Sequence, residues 1–539
     1  MRQVRGVDYN QMLLLAPTVE EWIGSNHPAR FIREFVGALD LKEMELDTLA
    51  REQGGVAYEP ALLLQAWLYG YYRKIRSTRG LEAACRDEMG FVWLTGNRRP
   101  DHHALWRYWS EHEKQIEGLF KRSVRVAIDL KLVGMAVQAI DGTKIQAACS
   151  GRGGFDQVQL EKLLTTLEQQ IEERARQIAA AGNEEAAVLP EELAGPVQLR
   201  DQVRAALQRV EAGETRHAHP LEPDAARMGC EGRNRFSYNA QAVVDAQAQI
   251  IVASAVTNAA TDAAQLTPML EAARANVPEA QPTSLADGGY ANAEQLSAAQ
   301  RAGHEVITPP PSGWRDTSHP YHAAHFRHDP ARGVVVCPQG RELPLHRVRE
   351  KDGRRVEVYR KASVCKGCPV RDQCTRDRHG RSIDIQPGYA AVVATHARWQ
   401  QPQTAELYGL RAATIEPVFA QIKQQMGFRR WTVRGLEKVR AQWAMLATAW
   451  NLRVIYRHWR GHRDRGPAHA GGPSGSPGPL ARGDGVKIPH WARSFDLCAP
   501  SALIVRLAPE FFFGTSCPGI ESGVARRPRD ARPTQAKAT

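Results

Sequence analysis

The sequence predicts an α/β fold: a mixed sheet flanked by helices, with an all-helical segment ahead of it. Three observations carry this. Apolar residues recur at three- and four-residue spacing through residues 58–125, the period of a buried helix face. From residue 134 to 308, short β-rich runs alternate with amphipathic stretches in the order β–β–(insert)–β–β–α–β–α–β. Hairpin-linked strands are antiparallel and helix-linked ones can be parallel, so this order suits a mixed sheet better than a doubly wound one. Composition agrees: 539 residues with 43% hydrophobic and 24% charged side chains can form sizeable cores, exclude wholesale disorder and allow about three domains.

Taken in order, Tyr58-Glu59-Pro60 opens a helix through Leu62, Leu63, Leu64, Trp67, Leu68 and Tyr71. A basic, aromatic stretch follows, with eight basic and four acidic residues between 73 and 109, Arg76 and Arg79 among them. Residues 1–128 are therefore expected to form a helical DNA-binding domain, with a solvated helical bundle as the alternative. Residues 134–148 read as a strand, a turn at Asp141-Gly142 and a second strand. Leu160, Leu163, Leu164, Leu167, Ile171 and Ile178 then mark an amphipathic helix. Its surroundings, 156–195, hold nine acidic and three basic residues, so this helical insertion (151–220) should face away from DNA.

Residues 236–257 predict two strands about a turn at Ala246–Ala248. Asp245 is assigned to the strand surface, and Asp262 to the cap of a helix through Leu266, Met269 and Leu270. Asp224 belongs to the return from the insertion. A short strand, 283–287, closes on Gly288-Gly289, followed by a helix from Asn292 to Ala302 and a strand over 304–308. Residues 312–400 read as irregular and polar, with His319, His322, His325 and His328 in an ordinary loop. Long helices return at 404–426 and 435–458. Their tryptophans, Trp431, Trp443, Trp450 and Trp459, read as core, with Trp431 the exception expected to stack on a base. Eleven of the twenty residues at 466–485 are Gly or Pro, so 461–539 reads as a linker and a disordered tail.

Lys and Arg outnumber Asp and Glu by 71 to 59, a net charge of +12, which favours nucleic acid as partner. The excess peaks at 410–465, with twelve basic and three acidic residues including Arg411, Lys423, Arg429, Arg430 and Arg434. A basic face there would hold phosphates in a salt-dependent manner. No apolar run reaches about 18 residues, so no membrane span is expected. The early apolar run, Met12–Ala16, is too short for a secretory signal and Glu20 and Glu21 follow it, so a cytoplasmic protein is expected.

Three carboxylates stand out. Asp141 and Asp287 each end a strand before glycine, and Glu416 lies on a helix. Strand ends present polar groups to a crevice. Two such carboxylates and a third from a flanking helix suit hard cations, two Mg²⁺ or Mn²⁺ ions, acting on phosphate oxygens. Taken singly, each has a structural reading as a turn or surface residue. Cys337, Cys365, Cys368 and Cys374 form a second set. Four thiolates suit a closed structural Zn²⁺ site, and the alternative is a knot of reduced cysteines without metal.

The motifs resemble the DDE transposases of bacterial insertion sequences, in the branch with a Cys-rich insertion before the glutamate. Asp141-Gly-Thr-Lys resembles the first catalytic motif and Ala286-Asp-Gly-Gly-Tyr-Ala-Asn292 the second. Arg411 to Lys423, continuing through Met426 to Gly435, resembles the third, with Tyr408 and Arg411 near a Tyr–Arg–Glu–Lys signature. Arg411 stands one residue further from Glu416 than in the simplest version. Residues 58–109 resemble the helical domain of that group. The resemblance covers about residues 10–460. It implies an RNase H-like core over 129–460, interrupted by 151–220 and 312–400, with a metal-binding triad of Asp141, Asp287 and Glu416. It also implies binding of terminal inverted repeats and target DNA, cleavage and strand transfer, and a homodimer in the synaptic complex. A nuclease that cuts without joining and a catalytically lapsed DNA-binding protein are the rival readings.

Overall fold

The computed structural model describes residues 18–47, 58–150, 154–180, 191–351 and 353–464. Of the expected linker and tail (461–539), residues 461–464 instead continue the last helix, and the rest lies outside the described residues. Six helices come first: α1 (Pro28–Gly37), α2 (Pro60–Arg73), α3 (Thr78–Asp87), α4 (Met89–Leu94), α5 (His102–Glu111) and α6 (Ile116–Asp129). Their starts are written locally. Pro60 sits in the first turn of α2, where its missing N–H costs nothing. Ser77 and Asp101 accept the N–H groups of Gly80 and Ala104 at the starts of α3 and α5.

The sheet contains β1 (Val137–Gln146), β2 (Ala226–Cys230), β3 (Arg233–Asp245), β4 (Ile251–Thr257), β5 (Thr283–Ala286) and β6 (Glu305–Ile307). Its order is β4–β3–β1–β5–β6, with β2 pairing beside β4 on the same edge of β3. β3 runs antiparallel to its neighbours, while β1, β5 and β6 are parallel. This is the mixed α/β architecture of an RNase H-like core. The helical insertion is a pair, α7 (Gln157–Ala180) and α8 (Glu191–Glu211), closed by its own apolar seam around Leu160, Leu167, Val203 and Leu207.

One expected turn is absent. Asp141 and Gly142 lie inside a continuous β1, in register with Ala242 and Gln241 of β3. The Asp-Gly pair reads locally as a turn, but cross-strand pairing holds the segment extended.

The helices α9 (Leu266–Asn276) and α10 (Ala293–Arg301) link the parallel strands. Residues 312–400 are not irregular. They contain a five-stranded antiparallel meander: β7 (Arg327–Asp329), β8 (Val334–Val336), β9 (Glu342–Lys351), β10 (Arg354–Tyr359) and β11 (Ile383–Ile385). Short helices α11 (Ala362–Lys366) and α12 (Arg371–Cys374) cross over before β11, and α13 (Tyr389–Trp399) leaves it. Tyr321, Phe326, Val335, Leu343, Tyr359, Ile383 and Ile385 give the insertion a small core of its own. Of the four histidines, His319, His322 and His325 precede β7, where His322 accepts the Ala324 N–H and His325 meets the Thr317 carbonyl; His328 instead lies within β7, opposite Val335, with its ring 3.3 Å from the Tyr359 hydroxyl.

The last two helices organise the centre. α14 (Pro402–Ala420) packs on β1 and β3, and a π turn (Gln421–Gln425) continues it. α15 (Leu436–Asp464) lies between β4 and the N-terminal helices α2 and α6. Asn451 is fully buried there and acts as an extra rung on the free edge of β4. It accepts the Ile251 N–H and donates to the Ile251 carbonyl, both at 2.9 Å, and also donates to Ser123 on α6. The N-terminal helices and the sheet thus share one continuous apolar core. All four tryptophans are buried, Trp431 included. Its indole N–H donates to the Ile145 carbonyl, so it packs over β1 instead of stacking on a base.

Candidate active site

β1 and β5 run side by side in parallel, with Ile140 opposite Ala286 as the last paired positions. The next residue on each chain is an aspartate, Asp141 and Asp287. Parallel register therefore sets the two carboxylates together at one rim of the sheet. Asp287 leaves the strand and starts a tight 3-10 turn (Gly288–Tyr290) by accepting the Gly289 N–H at 2.7 Å. Asp141 accepts the N–H of Gly142 and pairs with Arg411 of α14 at 2.8 Å. Burial pushes the Asp141 carboxyl up to about 6; Arg411 and the Gly142 N–H pull it down, while Asp287 and Asp262 raise it further. Two other acids thus bear on Asp141, and one is Asp262, which the sequence assigns to a helix cap.

Asp262 caps nothing. α9 begins four residues later with Gln265 as its N-cap. The Asp262 Oδ1 instead accepts Nδ2 of Asn239 at 2.7 Å and Nε2 of Gln241 at 2.6 Å. Asn239 and Gln241 are alternate residues of β3 and so share one face. Gln241 in turn accepts the hydroxyl of Tyr290, the last residue of the turn begun by Asp287. Burial, reinforced by Asp262, Asp141 and Asp287, raises the Tyr290 hydroxyl far above its ordinary range, so it stays a donor. Gly142 makes the approach possible. A Cβ there would collide with Gln241 Nε2 and stand 2.6 Å from Asp262 Oδ1 and 2.8 Å from Asn239 Oδ1. At Gly288 a Cβ would collide only with the guanidinium of Arg315, the movable end of a long side chain.

Glu416 lies elsewhere on α14. It is exposed, and the charges that bear on Asp141 do not include it. Five residues from Arg411 is about 500° of helical rotation, or 140° around the axis. Arg411 and Glu416 therefore look in different directions. Pro417 follows, inside the helix. The carbonyl it leaves without an intrahelical partner, that of Ala413, is taken by the side-chain amide of Gln249. The π turn moves Lys423 out of strict α-helical register with Glu416.

The predicted basic contacts divide. Arg429, Arg430 and Arg434 are exposed on the loop after the π turn. Arg430 and Arg434 donate to carbonyls of residues 147–149 just past β1, and Arg429 pairs with Glu231. Arg79 is exposed. Arg76 is turned inward: it donates to the Met426 carbonyl and lies 5.2 Å from the Phe428 ring centre, because an aromatic surface waits there. It ties the N-terminal helices to the loop instead of facing solvent.

Sequence reasoning missed a basic cleft. Arg347, Arg349, Arg354, Arg360 and Arg381 line a cavity of about 750 Å³ with Trp314, next to the start of α10. Its signal was the excess of fifteen basic over seven acidic residues at 327–381. The four cysteines also converge. All are free thiols lining a cavity of about 30 Å³; burial and the other three cysteines raise the Cys374 thiol. Among the described residues, no group of three His, Cys, Asp or Glu side chains is arranged to hold a metal ion.

A family model described as a transposase DDE domain matches residues 336–456, and one described as a transposase domain matches residues 17–111. Both matches are to transposase domains, and together they support a DDE transposase of an insertion sequence. The first match contains Glu416, Arg411 and the four cysteines; both aspartates lie before it. No curated protein matches the chain. The family makes this transposase a phosphoryl-transfer enzyme acting on DNA, of a class that generally uses divalent metal. Among the described residues, no helix is long and apolar enough to cross a membrane.

The rim suits such a metal by its donor chemistry. It offers carboxylate oxygens and one further oxygen without a partner: Oδ1 of the fully buried Asn239. Hard divalent cations take oxygen donors of this kind.

Proposed function

We propose that this transposase binds the terminal inverted repeats of its own element, cuts there and joins the freed ends to target DNA. The observation that carries the reading is the parallel register of β1 and β5, which puts Asp141 and Asp287 at one rim of an RNase H-like sheet. In this reading the two aspartates hold Mg²⁺ or Mn²⁺. Glu416 completes the triad; it enters from the matched transposase DDE domain and not from contact with either aspartate. Bound divalent cations would activate water, then a freed 3′-hydroxyl, and stabilise the attacking and leaving oxygens. Arg411 neutralises Asp141 and is placed to take a phosphate in exchange. Lys423, Arg79 and the exposed arginines at 429, 430 and 434 contact the DNA backbone, and the arginine-lined cleft extends that track.

The remaining parts follow. Residues 1–128 recognise DNA ends, 129–460 form the catalytic core, and two copies act together on paired ends in the cytoplasm. The four thiols hold a structural Zn²⁺, which the soft donor set suits. The deciding experiment is a cleavage and strand-transfer assay on DNA carrying the element's ends with Mg²⁺, comparing wild type with Asp287→Asn. The expected result is that wild type cuts and joins, while the variant binds the ends and does neither. Cutting without joining would establish the nuclease reading instead. Binding without cutting by both proteins would leave a lapsed DNA-binding protein.

A further inference from the structure

We infer that Asp262 is a divalent-metal ligand of this site, a carboxylate that works beside Asp141 and Asp287. The inference rests on the reading of the rim as the metal site and adds a residue from outside the three motifs.

Three independent features converge on one point over β1. The first is the approach of the carboxylate. Asp262 Oδ1 lies 2.6 Å from the position a Gly142 Cβ would occupy, one residue along β1 from Asp141. The second is the support. Asn239 and Gln241 both donate to that single oxygen, and the Tyr290 hydroxyl fixes the amide of Gln241. A side chain serving only solubility has no need of two buried amides and a buried phenol to set its direction. Ligand carboxylates do need such fixing, because outer partners orient the donor and tune its strength. Both amides use Oδ1, so Oδ2 takes no part in this support. The third is an oxygen without a partner. Asn239 is fully buried, and its Oδ1 makes no hydrogen bond yet points to the same place, 2.8 Å from the Gly142 Cβ position. Leaving a buried acceptor unsatisfied is costly, and a cation or its bound water would relieve it.

The geometry also explains why the three aspartates do not already form a cage. The guanidinium of Arg411 sits on Asp141 Oδ2 and supplies positive charge where a cation would. Tyr290 joins the second motif to Asp262 through Gln241, so the Gly-Gly-Tyr turn that positions Asp287 also positions Asp262. One turn thereby sets two ligands.

The test is metal binding by the full chain without DNA, read from the loss of the free Mn²⁺ signal in electron paramagnetic resonance. Wild type, Asp262→Asn, Asp287→Asn and Glu416→Gln are compared. Asn retains an oxygen that accepts both amides, so the fold should survive; thermal unfolding checks this. Asp262→Asn is expected to weaken Mn²⁺ binding at least tenfold while leaving binding of the element's ends within about twofold. A second measurement needs no variant. Fe²⁺ exchanged into wild type, with ascorbate and peroxide, should cut the chain beside residue 262 as well as near 141 and 287. Unchanged Mn²⁺ affinity in Asp262→Asn, or Fe²⁺ cutting near 141 and 287 but not near 262, overturns the inference. The proposed function fails separately. If Mn²⁺ binding depends on Asp262 but wild type never cuts the element's ends, the metal site stands without the transposition reading. If Asp287→Asn abolishes cutting and Asp262→Asn binds Mn²⁺ normally, the transposition reading stands without the added ligand.

Discussion

Replacing Gly142 with alanine adds one methyl group at the most crowded point of the rim. The strand conformation at 142 accommodates alanine, so the backbone contributes little to the cost and regains about 0.5–1 kcal/mol of chain entropy. The penalty comes from the three polar atoms in the way: Nε2 of Gln241, Oδ1 of Asp262 at 2.6 Å and Oδ1 of Asn239 at 2.8 Å. Gln241 and Asn239 are fully buried and Gln241 is held by Tyr290, so the freest of the three is Asp262. Moving it breaks two hydrogen bonds to a carboxylate, worth about 1.5–3 kcal/mol each. With partial rearrangement and the entropic gain subtracted, a net loss of about 2–4 kcal/mol is expected. Urea unfolding followed by intrinsic tryptophan fluorescence measures this, since the m-value should stay constant while the midpoint falls. Cleavage of the element's ends should fall by at least tenfold in the same protein, measured where it is still folded. A Gly142→Ala protein with a stability change under 0.5 kcal/mol and undiminished cutting would refute the crowded-rim argument.

Other expectations follow from particular contacts. Asn451→Leu removes the rung along β4 and leaves the buried N–H and carbonyl of Ile251 without that partner, at about 1–3 kcal/mol each; a combined loss of about 2–5 kcal/mol should appear in denaturant unfolding, and a loss below 1 kcal/mol would contradict it. Glu222 is fully buried, accepts Tyr238 and the Gly435 N–H, and is raised above 4.5 chiefly by burial. Its protonated form is favoured in the fold, so its contribution is fully present below about pH 4.5 and lost as pH rises through the folded value. The stability of wild type relative to Glu222→Gln should therefore decline between pH 4 and pH 7, and a flat difference would be the contrary result. For the thiol site, mercurial titration of protein purified under reducing conditions with a colorimetric zinc indicator should release about one zinc per chain, and Cys368→Ser should release none. A wild-type reading of zero would leave the cysteines as a metal-free knot.

The legible parts of this protein were those decided within a few residues. The helical periodicity of α2, the strand before Asp287 and the long pattern of α15 all carry their own signal. Asp141 and Asp287 were found because each ends an apolar run beside glycine. What was misread was decided across the sheet. Asp141-Gly142 carries the local marks of a turn, and only Gln241 and Asp262, about a hundred residues later, show why glycine is needed within a strand. Asp262 precedes a helical pattern and so reads as a cap; its amide partners on β3 give no hint in its own neighbourhood. The meander escaped notice because β7, β8 and β11 are three residues long, too short for alternation to register, and its core is assembled from seven scattered side chains. Trp431 sits in a basic stretch that suggests DNA, yet its nearest polar partner is a carbonyl of β1.

α15 is the last described helix to leave the ribosome, and it completes surfaces built hundreds of residues earlier. Until it emerges, the apolar faces of α2 and α6 and the free edge of β4 have no cover, and the Ile251 backbone has no rung. A nascent chain halted before Leu436 would carry both aspartates of the rim on a sheet with an unprotected edge, the kind of surface that recruits other strands. Such fragments should be drawn to chaperones or into aggregates. They would not persist as partial proteins competing for DNA ends. Emergence of α15 therefore gates the closing of the core shared by the N-terminal helices and the sheet.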